Sequence, residues 1–168
     1  MNIIFLDIDG VLNSGKFYKE TSQKRIKFDK EKMKNQNFYN VDDFDLLIEW
    51  AMIRIDFNKI EILKEIINKT NSKVVIISTW KKLYFFDLVV CKLRELGIPI
   101  IEVTKDNGYD RGSGIKEYIN NKNIQNYIII DDEIFDDYDD VLQERLIKTD
   151  FMEGLMIEHI DIATQKFN

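Results

Sequence analysis

The chain has 168 residues, 45% of them hydrophobic and 32% charged, with a formal net charge of −6; that length suits one domain with a sizeable core and is short for two. A single cysteine and a single histidine exclude a disulfide framework, thiolate or histidine-cluster metal sites, and most histidine-dependent hydrolases. The acidic balance disfavours whole-surface attraction to nucleic acid or anionic membrane while leaving room for a local basic site, and no apolar run approaches the roughly 20 residues of a membrane span.

The first predicted element is a buried strand over Ile3-Ile4-Phe5-Leu6, because unbroken apolar residues suit a strand covered on both faces. It ends in Asp7-Ile8-Asp9-Gly10, two carboxylates one residue apart followed by a glycine free to turn. Asp7 interrupts the apolar run too early for a signal peptide, and a reducing cytoplasm is the simplest compartment.

Ser14 to Ile55 is the least regular stretch and reads as an insertion. Up to Asn40, Lys16, Lys19, Lys24, Arg25, Lys27, Lys30, Lys32 and Lys34 face only Glu20, Asp29 and Glu31, with Phe17, Tyr18, Phe28, Phe38 and Tyr39 among them. Val41 to Ile55 turns acidic, then apolar, and predicts a helix. Asn58 and Glu61 have capping-box spacing for a helix carrying Ile60, Leu63, Ile66 and Ile67 and stopping near Asn71.

A second buried strand, Lys73 to Ile77, leads into Ser78-Thr79-Trp80, and Lys82 to Leu96 predicts a helix closed by Gly97. Cys91 is expected on that helix as a small buried hydrophobe. Ile98 to Val103 is a third, weaker strand, and Thr104 to Gly114 a polar loop, with Ser113 capping a short helix. Tyr127-Ile128-Ile129-Ile130 is a fourth strand running into Asp131-Asp132-Glu133; Arg145 to Thr149 is a fifth, and Leu155 to Lys166 a closing helix. This alternation predicts an α/β fold with a mostly parallel sheet of about five strands covered on both faces.

Three buried strands thus end in polar residues: Asp7/Asp9, Ser78/Thr79 and Asp131/Asp132. If the first strand is central and flanked by the second and fourth, they converge on the crevice beyond the strands' carboxyl ends, where ligands of open parallel sheets bind. Clustered carboxylates repel unless a cation sits between them, and oxygen-only donors indicate Mg²⁺ rather than zinc. The chain carries no Gly-x-x-x-x-Gly-Lys-Ser/Thr loop.

The stretch Phe5-Leu6-Asp7-Ile8-Asp9-Gly10-Val11-Leu12-Asn13 resembles the first motif of the haloacid-dehalogenase (HAD) superfamily of phosphatases. Ile76-Ile77-Ser78 is similar to its second motif, and Ile128 to Asp132 to its fourth. The third motif, a lone Lys or Arg near a helix start, is matched best by position at Arg111, with Lys116 and Lys105 as competitors. Ser78-Thr79-Trp80-Lys81, Arg111-Gly112 and Lys148-Thr149-Asp150 before Gly154-Leu155 resemble the small HAD domains of "Swiss army knife" RNA-repair proteins.

The resemblance implies a three-layer Rossmann-like HAD domain over residues 1–168, with 14–56 as a cap or insert that the superfamily resemblance does not cover. It implies a phosphomonoester hydrolase using Mg²⁺. Asp7 would be the nucleophile forming an aspartyl-phosphate, and Asp9 the general acid and base. Mg²⁺ would be held by Asp7, the Asp9 carbonyl and Asp132, with Asp131 and Asp136 in support. Ser78, with Thr79 as its alternative, would contact a phosphoryl oxygen, Arg111 would balance charge, and Gly10 and Lys116 would help bind substrate. Trp80 is assigned to packing and His159 to an ordinary surface or helix position.

The basic insert is either a solvated lid or a platform for a single-stranded nucleic-acid end. The expected substrates are phosphorylated molecules, with nucleotides or nucleic-acid terminal phosphates among the candidates. The competing readings are a sugar phosphatase or nucleotidase, and a catalytically silent binding or regulatory module.

Overall fold

The computed structural model describes residues 1–33, 41–105 and 110–167. Lys34, Phe38 and Tyr39 of the basic segment, and part of the polar loop after Thr104, lie outside the described residues. Five parallel strands form one sheet in the order β3-β2-β1-β4-β5: β1 Asn2–Leu6, β2 Ser72–Ile76, β3 Ile100–Val103, β4 Asn126–Asp131 and β5 Leu146–Lys148. β1 is central, pairing in register with β2 (Leu6 with Ile76) and β4 (Leu6 with Ile130).

Strand side chains alternate between faces, and each face has its own core. Ile4, Leu6, Val74, Ile76, Ile128 and Ile130 lie in one apolar cluster. This cluster includes buried residues of α3 (Phe44–Met52), α4 (Phe57–Thr70), α5 (Phe86–Glu95) and α8 (Glu158–Phe167). Ile3, Phe5, Val75, Ile77 and Ile129 lie in the other, with residues of α6 (Arg111–Lys122) and α7 (Asp140–Arg145). Phe5 meets the rings of Tyr118 and Tyr127 edge-on, with centroids 5.6 and 5.8 Å away. Apolar burial on both faces is why the strands read as continuous hydrophobic runs.

Between β1 and α4 the chain forms α1 (Gly15–Glu20), α2 (Ser22–Glu31) and α3. Arg54, just after α3, pairs with Asp29 of α2 at 2.9 Å, and Lys32 reaches Glu49 at 2.6 Å. The N–H of Gly15 donates to the Phe151 carbonyl at 2.9 Å, tying the start of α1 to the loop after β5.

Several local expectations need correction. The cap of α4 is Asp56, whose side chain accepts from the Asn58 N–H; both residues are good caps, and the upstream one starts the helix. Lys82 to Leu96 is not one helix, since a short 3-10 turn over Thr79–Lys82 precedes α5. α6 begins at Arg111, two residues before Ser113, whose N–H instead donates to the Asp137 carboxylate at 2.8 Å. Cys91 is exposed, because the buried face of α5 is Phe86, Val89, Val90 and Leu93. Among the described residues, no helix is long and apolar enough to cross a membrane.

Candidate active site

The sheet register assembles the site. One step beyond the Leu6–Ile130 pair, Asp7 and Asp131 lie side by side, with the Asp7 N–H donating to the Ile130 carbonyl at 3.0 Å. On the other side the Ile77 N–H donates to the Leu6 carbonyl at 3.0 Å, which brings Ser78 to the same edge. One carboxylate oxygen from each of Asp7, Asp131 and Asp132 lies within 4.8 Å of the others. Like charges so close repel strongly, and the more so because Asp7 and Asp131 are buried and Asp132 is half-buried.

The compensating cation among the described residues is Arg111, the first residue of α6. Its Nη1 donates to Asp7 Oδ2 at 2.9 Å and to Asp131 Oδ2 at 2.6 Å, and its guanidinium lies 4.4 Å from the Phe135 ring centroid. Asp131 also accepts from the Tyr138 hydroxyl at 3.3 Å and from the Glu133 N–H at 3.1 Å. Burial, followed by the Asp7 charge, pushes the Asp131 carboxyl up to about 7 against the pull of Arg111. The same two causes, in that order, push Asp132 up to about 6. Burial acts to lower Arg111, but the Asp7 and Asp131 carboxylates outweigh it and hold the guanidinium above its ordinary range.

One guanidinium against three carboxylates leaves a deficit of positive charge. Asp7 Oδ1 is moreover buried without a hydrogen-bond partner. Oxygen donors of this kind fit a hard divalent cation such as Mg²⁺. Asp7 and Asp132 are the residues that would hold it, with Asp131 largely engaged by Arg111 and Tyr138.

Asp9 stands apart from this cluster. Its Oδ1 accepts from Asn13 Nδ2 at 2.8 Å and its Oδ2 from the Trp80 indole N–H at 2.9 Å. Burial raises its pKa, partly offset by the Asn13 hydrogen bond. Asn13 also accepts from the Gly10 N–H at 2.9 Å, while the Thr149 hydroxyl donates to the Gly10 carbonyl at 2.7 Å. Gly10 has φ +64°, and a Cβ there would overlap the Asp132 side chain. Gly10→Ala is therefore expected to lose on the order of 1–3 kcal/mol of stability through the strained φ and the clash. It should also displace Asp132, so that Mg²⁺ no longer raises the melting temperature; an unchanged Mg²⁺ response in a thermal melt would contradict this account.

Ser78 is fully buried, and its hydroxyl accepts from the Trp80 N–H at 3.3 Å. Thr79 is half-buried and lines a cavity beside Asp9. Of the three basic candidates, only Arg111 reaches the carboxylates. Lys116 pairs with Asp139 at 2.9 Å, and Lys105 is exposed beside a separate cavity with Lys81 and Lys82. Asp136 is exposed; its neighbour Asp137 packs its backbone and side chain on Gly112 and accepts from the Ser113 N–H.

Trp80 packs in the apolar cluster as expected, and its indole N–H also holds Asp9, a contact the sequence did not suggest. Tyr138 and Thr149 clamp Asp131 and Gly10; Thr149 stood in the Lys148-Thr149-Asp150 resemblance without an assigned role, and Tyr138 carries no local signal of its contact.

A family model described as the HAD domain in Swiss Army Knife RNA repair proteins matches residues 3–160, running through the segment between β1 and α4. No curated protein and no solved structure matches the chain.

Proposed function

The chain belongs to the family of HAD domains in Swiss Army Knife RNA repair proteins, and on that premise we propose that it is a Mg²⁺-dependent phosphomonoesterase acting on the terminal phosphate of a nucleotide or nucleic-acid end. The observation that carries the reading is the buried Asp7 Oδ1, which has no hydrogen-bond partner while Arg111 holds the other oxygen of the same carboxylate. In this reading Asp7 attacks phosphorus, and the bond to the ester oxygen breaks as the aspartyl-phosphate forms. Asp9, held by Asn13 and Trp80, gives its proton to the leaving oxygen. It then takes a proton from the water that releases phosphate from Asp7.

Arg111 balances charge on Asp7 and Asp131 throughout, and the hydroxyls of Ser78 and Thr79 stand at the neighbouring strand end for the phosphoryl oxygens. When bound, the divalent cation supplies charge neutralisation between carboxylate and phosphate. The basic face of α2, with Lys24 and Lys27 exposed, is the proposed contact for a single-stranded end. The ion pairs from α2 to α3 and the tie from α1 to the loop after β5 favour a fixed wall over a moving lid.

The test is phosphate release from an aryl phosphate, nucleoside monophosphates, sugar phosphates and phosphorylated oligonucleotides, with and without Mg²⁺. Release that requires Mg²⁺ and favours nucleotide or oligonucleotide ends supports the proposal; no release from any ester points to a binding module instead.

A pH-dependent response to cation is also expected. Asp131 and Asp132 hold their protons more tightly in the fold than their ordinary value of 3.8. Their contribution to stability is therefore present below about pH 4 and lost as pH rises through 6 and 7. Above that range a cation takes the place of the protons. Millimolar Mg²⁺ should raise the melting temperature by roughly 5 °C at pH 8 and by little at pH 5. Equal shifts at the two pH values would argue against a cation held by this cluster.

A further inference from the structure

A cavity of about 340 Å³ adjoins Asp9, lined by Asp9, Tyr18, Trp50, Arg54, Thr79, Trp80 and Leu83 and by none of Asp7, Asp131 and Asp132. Its aromatic walls come from three separate segments: α1, α3 and the turn after β2. Trp50 and Trp80 stand 6.2 Å apart with planes inclined at 43°, so neither indole stacks flat on the other. The Arg54 guanidinium lies 4.0 Å from the Trp50 ring centroid and is itself held by Asp29 at 2.9 Å and by the Trp50 carbonyl at 2.8 Å. Arg25 lies 4.2 Å from the Tyr18 ring centroid. These cations fix the rings in place, and Tyr18 and Trp50 remain only half-buried.

We propose that this cavity is the leaving-group subsite, and that it takes the nucleobase of the nucleotide bearing the scissile phosphate. The proposal deepens the phosphatase reading and rests on it. Asp9 delivers its proton to the leaving oxygen, so whatever occupies the space beyond Asp9 is the departing part of the substrate. A lining that combines aromatic rings with a guanidinium group suits a flat, electron-rich heterocycle rather than an aliphatic polyol. Trp80 connects the two functions, since its indole N–H orients Asp9 while its ring walls the cavity. An occupied pocket would thus sit against the group that positions the acid.

The chain contains two tryptophans, and both line this cavity, so intrinsic fluorescence reports directly on it. Asp7→Asn protein would be titrated with adenosine 3′- and 5′-monophosphate, ribose 5-phosphate and glycerol 2-phosphate. Saturable quenching by the adenosine phosphates but not by the ring-free esters is the expected result. Trp50→Leu should weaken that binding by about tenfold or more, and Trp50→Phe should restore most of it.

In turnover, the kcat/KM ratio for an oligoribonucleotide with a base at its phosphorylated terminus over one with an abasic terminus should be about tenfold, and should fall toward one in Trp50→Leu. A higher kcat/KM for the oligoribonucleotide than for the mononucleotides identifies a strand end as the source of the base; the reverse identifies a free nucleotide. Equal quenching by all four ligands, or a base-to-abasic ratio that Trp50→Leu leaves unaltered, overturns the subsite. Absence of turnover on every ester with selective quenching retained overturns the phosphatase reading while supporting a base-binding cavity.

Discussion

Asp7→Asn is expected to reduce phosphate release by on the order of 10⁴-fold or more, because in the proposed mechanism the amide cannot form the covalent intermediate. The substitution is nearly isosteric, and its carbonyl oxygen can still accept from Arg111. The chain should therefore remain folded, with unchanged circular dichroism. Two further readouts separate loss of a nucleophile from general damage. The Asp7 charge is the second cause, after burial, of the raised pKa values of Asp131 and Asp132, so both should titrate lower in the variant, as NMR of their carboxyl carbons would show. The stabilisation by Mg²⁺ at pH 8 should also fall. A variant that retains even a tenth of the wild-type rate would remove Asp7 from the nucleophile's role.

Arg111→Met is expected to produce the largest loss of stability. The guanidinium is almost completely buried and contacts two buried carboxylates at 2.9 and 2.6 Å. Methionine fills similar space without charge, leaving Asp7 and Asp131 uncompensated. Breaking one side of a buried ion pair costs about 3–5 kcal/mol.

The loss should be greater at pH 8 than at pH 5. A carboxyl that is protonated at low pH needs no cation, and Asp131, pushed up to about 7 by burial and then by Asp7, is the group poised to do so. Mg²⁺ should recover part of the stability at pH 8. Arg111→Lys should lie between the two, since it keeps a charge but not the guanidinium's contact with the Phe135 ring. Urea unfolding at both pH values is the measurement, and a loss under about 1 kcal/mol at pH 8 would contradict the ion-pair account.

The sheet was legible because its strands are buried on both faces and therefore appear as unbroken apolar runs, Ile3 to Leu6, Val74 to Ile77 and Tyr127 to Ile130. The convergence of the polar residues that end those runs required β1 to lie between the second and fourth strands, and the sheet order places it there. Helix limits were less legible where two residues compete for one cap. Asp56 and Asn58 both qualify, and only the upstream residue reaches the first free N–H groups. Cys91 looked apolar in composition but falls off the Phe86, Val89, Val90 and Leu93 stripe. Helical periodicity could have placed it outside.

The acidic cluster and Arg111 were named from motif and position, and the register of β1 against β4 is what brings them together. Contacts such as the Trp80 indole on Asp9, the Tyr138 hydroxyl on Asp131 and the Thr149 hydroxyl on Gly10 join residues distant in sequence or in no repeating pattern. No local spacing encodes them. The aromatic cavity was hidden for the same reason, as Tyr18, Trp50 and Trp80 belong to three elements that meet only in the folded chain.

The position of β1 between β2 and β4 has a consequence for biosynthesis. One of its two flanking partners, Asn126–Asp131, leaves the ribosome on the order of ten seconds after it at ordinary translation rates. Throughout that interval a strongly apolar ribbon has an open edge, the condition that favours aggregation. Asp7 and Asp9 border this ribbon, and charges that flank an apolar strand oppose such pairing.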